Sequence, residues 1–239
     1  MAAFAAARAR ALSTIAEACA RAHRDPGEVT LLAVSKTVPA ERLRAAIEAG
    51  LTLLGENRVQ EAEAKAPLLP AATWHLIGPL QSNKARRAVE LFDTIESVDS
   101  LELARRLDRL AGELGRGRDA ATEPLGVYLQ VNVDADEAKA GFGLAAVDAA
   151  LAEMLVLPRL RVLGLMTVGR LVDAAEDARP TFRRLRELSD RLRSRYAGLG
   201  PGLSMGMSSD YAVAIEEGAT LVRVGRDLFG ARPAAALGR

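Results

Sequence analysis

Two parts of this sequence of 239 residues have residue types suited to chemistry on a small molecule. Lys36 follows the apolar segment 29–34, with only Ser35 between them. A partly desolvated amine loses its proton more readily, and the neutral amine attacks an aldehyde to form a Schiff base. Lys36 therefore indicates a carbonyl compound as ligand, although an isolated lysine in such a place is more often a cation in an ion pair.

The second part is a pair of glycine-containing segments near the C-terminus. In LSMGMSSD, backbone amides, the hydroxyls of Ser208 and Ser209 and the dipole of the helix that follows can all face an anion. RVG repeats the feature with Gly225. The pattern predicts a phosphate site, while the alternative is that Ser208 or Ser209 only caps its helix.

An aldehyde and a phosphate on one small molecule indicate pyridoxal 5′-phosphate (PLP), whose enzymes use a lysine Schiff base and an Asp or Arg opposite the pyridine nitrogen. Arg223 is the candidate for that opposite position. Because an arginine donates a hydrogen bond and cannot protonate the nitrogen, the ring would be a weak electron sink. A lysine-dependent aldolase acting on a phosphorylated sugar is an alternative that uses the same two groups.

The elements that must position these residues alternate regularly along the chain. Short apolar segments predict strands at 29–34, 51–57, 74–78, 93–98, 126–133, 160–168, 203–207 and 220–225. Amphipathic helical segments lie between them, the longest near 174–196, and residues 115–124 are predicted to form a surface loop. Eight such repeats favour an α/β fold, a (βα)₈ TIM barrel forming a single domain over residues 1–239. An open doubly wound sheet is the alternative. The N-terminal segment predicts an extra docked helix, although it shares features with transit peptides.

A barrel of this kind carries its chemistry at the carboxyl ends of its strands. The residues that follow those ends are Lys36, Asn57, Met166, Ser204 through Ser208, Arg223 and Gly225. We therefore expect them to meet at one mouth.

Composition excludes several other classes of function. The 32 Lys and Arg residues nearly balance the 31 Asp and Glu residues, so a net charge of +1 provides no field for nucleic acid or an anionic membrane. Cys19 is the one cysteine and there are two histidines, so neither a disulfide nor a metal site is expected. No apolar run approaches the roughly 20 residues of a membrane span. We expect a cytoplasmic protein.

Several segments together carry a resemblance to a known family. They are AVSKT, GENRVQE, WHLIGPLQSNK, SVDS, LQVN, GLMT and LSMGMSSDYAVAIEEGATLVRVGRDLFGAR. In these segments the chain resembles the pyridoxal phosphate homeostasis proteins, relatives of the barrel half of bacterial alanine racemase with the fold-type III architecture of PLP proteins. The resemblance extends over about residues 29–232.

The resemblance implies roles for individual residues. Lys36 would carry PLP as a Schiff base, Asn57 would lie near the ring and Met166 would line the pocket. Ser204 and Ser208, with the Gly225 backbone, would hold the phosphate, and Arg223 would face the pyridine nitrogen. The resemblance also implies that the chain binds PLP, takes part in its intracellular homeostasis and supplies apo-enzymes, without a catalysed reaction of its own. We therefore expect no catalytic residues, and a monomer.

The competing hypothesis is a minimal fold-type III enzyme such as an amino-acid racemase. Racemisation needs an acid or base on both faces of the substrate, and the three tyrosines at 128, 196 and 211 lie in strand or helix patterns that offer no obvious second base. We also expect that the chain lacks the C-terminal domain that completes racemase sites.

Some residues depart from the family pattern or have a simpler explanation. Pro79 stands where the family often has histidine, and VDADEAKAGF matches its loop loosely. We expect His75 to be a packed, hydrogen-bonded residue. Lys84, Arg86 and Arg87 could form a second anion site, but ion-paired helix faces are the simpler expectation.

Overall fold

Eight parallel strands close into a barrel in this computed structural model, which describes residues 1–117, 123–170 and 172–230. The strands in chain order are β1 (Thr30–Val34), β2 (Leu53–Glu56), β3 (Thr73–Leu76), β4 (Thr94–Val98), β5 (Leu125–Asn132), the two-residue β6 (Phe142–Gly143), β7 (Leu160–Met166), β8 (Gly202–Met207) and β9 (Leu221–Val224). Pairing of β4 with β5 and of β1 with β9 closes the ring, and β6 extends β5 outside it.

Helices lie on the outside of the barrel, before, between and after its strands in the chain. They are α1 (Ala2–Arg21), α2 (Ala40–Glu48), α3 (Val59–Lys65), α4 (Ala85–Leu91), α5 (Leu101–Glu113), α6 (Val147–Met154), α7 (Arg179–Arg193), α8 (Tyr211–Glu216) and α9 (Arg226–Phe229). Helical crossovers of this kind are what parallel strands require, because a tight turn cannot return the chain to the same end of the sheet.

The sequence of α5 shows why these segments form helices. Leu103, Leu107 and Leu110 recur at helical spacing and are buried against the barrel. Ser100 begins the helix, since its hydroxyl accepts a hydrogen bond from the Leu103 N–H at 3.3 Å. The strands, by contrast, are short and buried on both faces, as every residue of β4 is.

The N-terminal helix packs against the outside of the barrel beside α8 and α9. Ala11, Ile15 and Ala18 are buried on one face of α1. The ring of Phe4 meets that of Phe229 edge to face with centroids 5.9 Å apart. Arg24, just after the helix, donates to two carbonyl oxygens of the α8 region. The predicted docked helix is therefore confirmed.

The (βα)₈ prediction is confirmed, with small differences in its elements. The strand predicted at 160–168 ends at Met166, and the helix predicted near 174–196 is divided into a 3₁₀ turn at Ala175–Ala178 and α7, which begins with Arg179-Pro180. Strand β6, in the loop after β5, was not predicted because two residues carry no periodicity. The predicted loop at 115–124 lies partly outside the described residues. That one domain spans 1–239 stays a prediction.

Across the described ranges, no helix combines the length and apolar character needed to cross a lipid bilayer.

Strands β7 and β8 approach each other through glycines. Gly164 pairs in register with Gly202, and a Cβ added to Gly164 would lie 1.8 Å from the Gly202 carbonyl oxygen. Nothing at that distance can be accommodated without moving the backbone. The observed spacing of β7 and β8 at this point therefore requires glycine at position 164.

We predict that Gly164→Ala lowers the free energy of unfolding by about 2 kcal/mol or more, because the new methyl group must displace the backbone of β8. Gly143→Ala is the control, since a Cβ at Gly143 meets nothing within 4 Å. Denaturant unfolding of both variants measures the difference. Equal effects would contradict the interpretation of the β7–β8 contact.

Candidate functional site

Lys36 and Gly225 line the same cavity at the carboxyl end of the barrel. The cavity has a volume of ≈ 240 Å³, and Val34, Val38 and Phe229 supply apolar walls. Ala33 of β1 pairs in register with Val224 of β9, so the residues that follow both strands emerge side by side. Lys36 is half-buried at this point. The predicted meeting of the first and last strand ends is present.

Ser208 belongs to the same group. The Gly225 N–H donates to the Ser208 hydroxyl oxygen at 3.2 Å. Helix α8 begins after Asp210, and no side chain caps it; Asp210 instead accepts a hydrogen bond from the Met207 N–H. The Ser208 hydroxyl therefore contacts the loop after β9, where it lies next to the Gly225 amide.

Ser204 and Arg223 lie deeper, in the interior of the barrel. Arg223 donates to the Ser204 hydroxyl at 2.5 Å and to the Thr167 carbonyl oxygen at 2.7 Å. Ser204 in turn donates to Glu96 Oε2 at 2.5 Å, and the other oxygen of Glu96 lies 2.7 Å from His75 Nδ1. Four polar side chains thus form a continuous chain of hydrogen bonds across the barrel.

Charge inside the barrel affects the titration of its neighbours. Burial lowers the pKa of the Arg223 guanidinium, and the carboxylates of Glu96 and Asp210 oppose the shift. Burial and the charge of Glu96 together raise the pKa of the Tyr128 phenol. Arginine remains protonated under such shifts because its ordinary pKa is above 12. Arg223 is therefore a fixed hydrogen-bond donor inside the barrel.

Met166 and Asn57 occupy different surroundings. Met166 is fully buried at the end of β7, in register with Ser204 on β8. Asn57 follows β2 and lines a second, larger groove of ≈ 900 Å³ together with Arg58 and Lys84. The Asn57 backbone lies so close to Gly78 that a Cβ on Gly78 would be 2.3 Å from the Asn57 carbonyl oxygen. Asn57 is therefore held between the ends of β2 and β3.

A charged cluster behind Lys36 was missed by reasoning from the sequence. Glu56, at the end of β2, and Lys65, at the end of α3, form an ion pair at 2.7 Å, and the Glu56 side chain is completely buried. The available signals were a glutamate inside an apolar strand segment and the i,i+4 spacing of Glu61 and Lys65 in GENRVQEAEAK. Neither signal shows that the cluster lies beside Lys36.

The remaining sequence expectations concern side chains outside the mouth. His75 is buried and hydrogen-bonded, as expected. Arg86 pairs with Glu113, and Arg87 pairs with Glu63, so these two arginines belong to ion-paired helix faces. In the described ranges, no group of three or more His, Cys, Asp or Glu side chains could hold a metal ion.

The tyrosines do not offer a second base at the mouth. Tyr128 is buried within β5, and the Tyr196 hydroxyl donates to Asp148 on the outer helices. Tyr211 is buried at the start of α8.

Known proteins are similar to this chain over nearly its whole length. Residues 8–233 match the family described as alanine racemase, N-terminal domain. The pyridoxal phosphate homeostasis protein of Aquifex aeolicus (strain VF5) is 42% identical over 225 residues, which are 93% of this chain and 96% of the relative. The protein of the same name from Pseudomonas aeruginosa is 44% identical over 227 residues, 94% of each chain.

Solved structures give the same result. The structure of PipY of Synechococcus elongatus PCC7942 with PLP bound is 46% identical, with a TM-score of 0.79, and the match covers 90% of this chain and 100% of that one. An alanine racemase from Clostridium difficile 630 is 16% identical with a TM-score of 0.69, over 93% of this chain and 56% of the racemase. At that identity the racemase shows the fold alone.

We predict that Glu96→Leu lowers the free energy of unfolding by about 3 kcal/mol, because the buried charge of Arg223 then loses the carboxylate that compensates it through Ser204. Glu153→Leu is the matched control, since Glu153 forms an exposed ion pair with Arg105 and its loss costs about 1 kcal/mol or less. Thermal and denaturant unfolding compare the two. A Glu96→Leu protein as stable as the control would show that the interior network contributes nothing.

Proposed function

Since this chain belongs to the alanine racemase N-terminal domain family and, within it, to the pyridoxal phosphate homeostasis proteins, we propose that it binds PLP through a Schiff base on Lys36 and takes part in PLP homeostasis. The observation that carries the proposal is the cavity shared by Lys36 and Gly225. It brings an amine and an anion-binding backbone segment within the span of one small molecule.

The residues at the mouth fit a phosphorylated aldehyde. A Cβ at Gly225 would lie 3.4 Å from the Cβ of Val34, so the main chain there runs close to the end of β1. The Gly225 N–H donates to the Ser208 hydroxyl oxygen, and the Ser208 O–H can in turn donate to an anion. Lys36 supplies the amine for the aldehyde, which forms the carbon–nitrogen double bond with loss of one water.

Arg223 supports a role in binding over one in turnover. When bound, PLP supplies an electron sink for carbanions, and the strength of that sink depends on a proton at the ring nitrogen. Arg223 is the candidate to face this nitrogen, and a guanidinium can donate a hydrogen bond there without giving up its proton. Its two recorded bonds, to Ser204 and to the Thr167 carbonyl oxygen, hold its plane in one orientation.

Three predicted residues have supporting roles in this proposal. Ser204 acts through Arg223, since its hydroxyl is already bonded to the guanidinium and to Glu96. Met166 contributes apolar surface from β7, and Asn57 contributes a polar side chain from the loop after β2. A phosphate contact of Ser204 stays a prediction from the family resemblance.

The proposal further includes supply of the cofactor to apo-enzymes, by a cytoplasmic monomer. The curated relatives are named for homeostasis of PLP rather than for a reaction. A protein that retains PLP on a lysine, with an arginine at the ring nitrogen that makes the ring a weak electron sink, is suited to storing a reactive aldehyde and passing it on.

We predict that the purified protein loaded with PLP shows a visible absorption band that borohydride abolishes, with the reduced label on Lys36. Lys36→Ala should lose the band completely and retain weak, phosphate-driven binding. Lys84→Ala is the control, because Lys84 lines the neighbouring groove and not the cavity with Gly225. Absorption spectra and peptide mass mapping measure the result. A band that survives in Lys36→Ala would contradict the assignment, and no band in the wild-type protein would favour the aldolase alternative.

We predict direct transfer of PLP to an apo-enzyme. The loaded protein should restore activity to a PLP-dependent apo-enzyme even when a phosphatase removes free PLP from solution, because the cofactor then passes from one protein to the other while the two are in contact. Free PLP at the same concentration, with the same phosphatase, is the control. Activation that disappears with the phosphatase would contradict supply by transfer, and multiple turnovers of alanine racemisation would instead support the racemase hypothesis.

A further inference from the structure

The charged cluster behind Lys36 holds the residue that precedes it. Lys65 Nζ donates to the Ser35 carbonyl oxygen at 3.0 Å and to Glu56 Oε1 at 2.7 Å. The Ser35 hydroxyl donates to the same Glu56 oxygen at 2.8 Å. Both the main chain and the side chain of Ser35 are therefore tied to this buried ion pair.

The residue that follows Lys36 is held from the same helix. The Thr37 N–H donates to Glu61 Oε2 at 2.8 Å, and Lys65 Nζ lies 3.3 Å from that oxygen. Thr37 has a φ of +65°, a left-handed conformation that residues with a branched Cβ rarely adopt. The conformation costs free energy unless surrounding contacts enforce it. The bond to Glu61 is such a contact.

The hydrogen bonds of Glu56, Glu61 and Lys65 involve charged groups. Burial alone would raise the pKa of the Glu61 carboxyl, but the Thr37 N–H and the Lys65 ammonium outweigh it and hold the pKa below its ordinary value. Burial raises the pKa of Glu56, against the opposing charge of Lys65. The side chain of Lys65 is 11% exposed and that of Glu56 is 0% exposed, so water screens their attraction little. Hydrogen bonds to charged groups in such surroundings are stronger than neutral ones.

We propose that Glu61 and Lys65 of α3 are positioning residues for Lys36. They hold the backbone on both sides of it, one through Thr37 and the other through Ser35, and so fix the direction in which the amine enters the mouth. A lysine that is already oriented loses less conformational freedom when it binds an aldehyde, and the ligand is retained more tightly. This proposal rests on the proposed function for the identity of the ligand.

The first test compares carboxyl groups on one helix. Glu61→Ala should raise the dissociation constant for PLP about tenfold, the effect of losing one charge-assisted hydrogen bond. Glu61→Gln should raise it less than about threefold, because the amide oxygen can still accept from the Thr37 N–H. Glu63→Ala is the matched control on α3, since Glu63 pairs with Arg87 at the surface, and it should stay within about twofold. Equal dissociation constants for Glu61→Ala and Glu63→Ala would overturn the proposal.

The second test asks whether Glu61 acts through Thr37. Glycine adopts a positive φ without strain, so Thr37→Gly removes the need for an enforcing contact. In the Thr37→Gly background, Glu61→Ala should therefore change the dissociation constant by less than about threefold. An undiminished tenfold effect in this background would show that Glu61 does not act by holding Thr37, and would overturn the proposal.

The third measurement needs no cofactor and separates the positioning role of Glu61 from the proposed binding of PLP. Hydrogen exchange of the Thr37 amide in the free protein should be at least about tenfold faster in Glu61→Ala than in Glu63→Ala. Unchanged exchange would overturn the positioning role, whatever the protein binds. A wild-type protein that forms no borohydride-sensitive band on Lys36 would overturn the proposed function. Faster exchange in Glu61→Ala would still support Glu61 as a positioning residue for Lys36.

Discussion

Pairing of the first barrel strand with the last is the constraint on which the site depends. Ala33 and Val224 are register partners across this seam, and Lys36 and Gly225 follow them into one cavity. The two residues are 189 positions apart, so only closure of the ring brings the Lys36 amine and the Gly225 main chain together. Close contacts elsewhere in the ring, such as Gly164 against Gly202, serve the site because they permit that closure.

Beneath the seam, the barrel holds an arginine where most barrels place aliphatic side chains. Burying a charge is tolerable only when it is hydrogen-bonded and compensated by an opposite charge. Arg223 donates to Ser204 and to the Thr167 carbonyl oxygen, and the charge of Glu96, bonded to the same Ser204, opposes the effect of burial. The same chain leaves Arg223 as a donor whose orientation is fixed. A mouth built on such a donor favours holding the cofactor over driving chemistry on it, in agreement with relatives named for homeostasis.

Two charged networks therefore flank the mouth, and each acts on a different part of the proposed ligand. The interior network supports Arg223, the proposed partner of the ring nitrogen, and the cluster on α3 supports the backbone around Lys36. Both are built from side chains on strands and helices, which hold the positions of these side chains more precisely than loops would. Retention of the cofactor then depends on the strength of a few hydrogen bonds, each of which can be removed by a single substitution.

The sequence by itself determined the alternation of strands and helices, the docked N-terminal helix and the set of residues at strand ends, because periodicity and turn residues are local properties. It also indicated Lys36, Ser208 and Gly225 as partners, on the rule that parallel strands carry their chemistry at one end. Only the tertiary structure decided that Ser204 is bonded to Glu96 and Arg223, and that Glu56, Glu61 and Lys65 surround the neighbours of Lys36. Those contacts depend on register and on which face of a strand points inward, and a shift of one residue would reverse them.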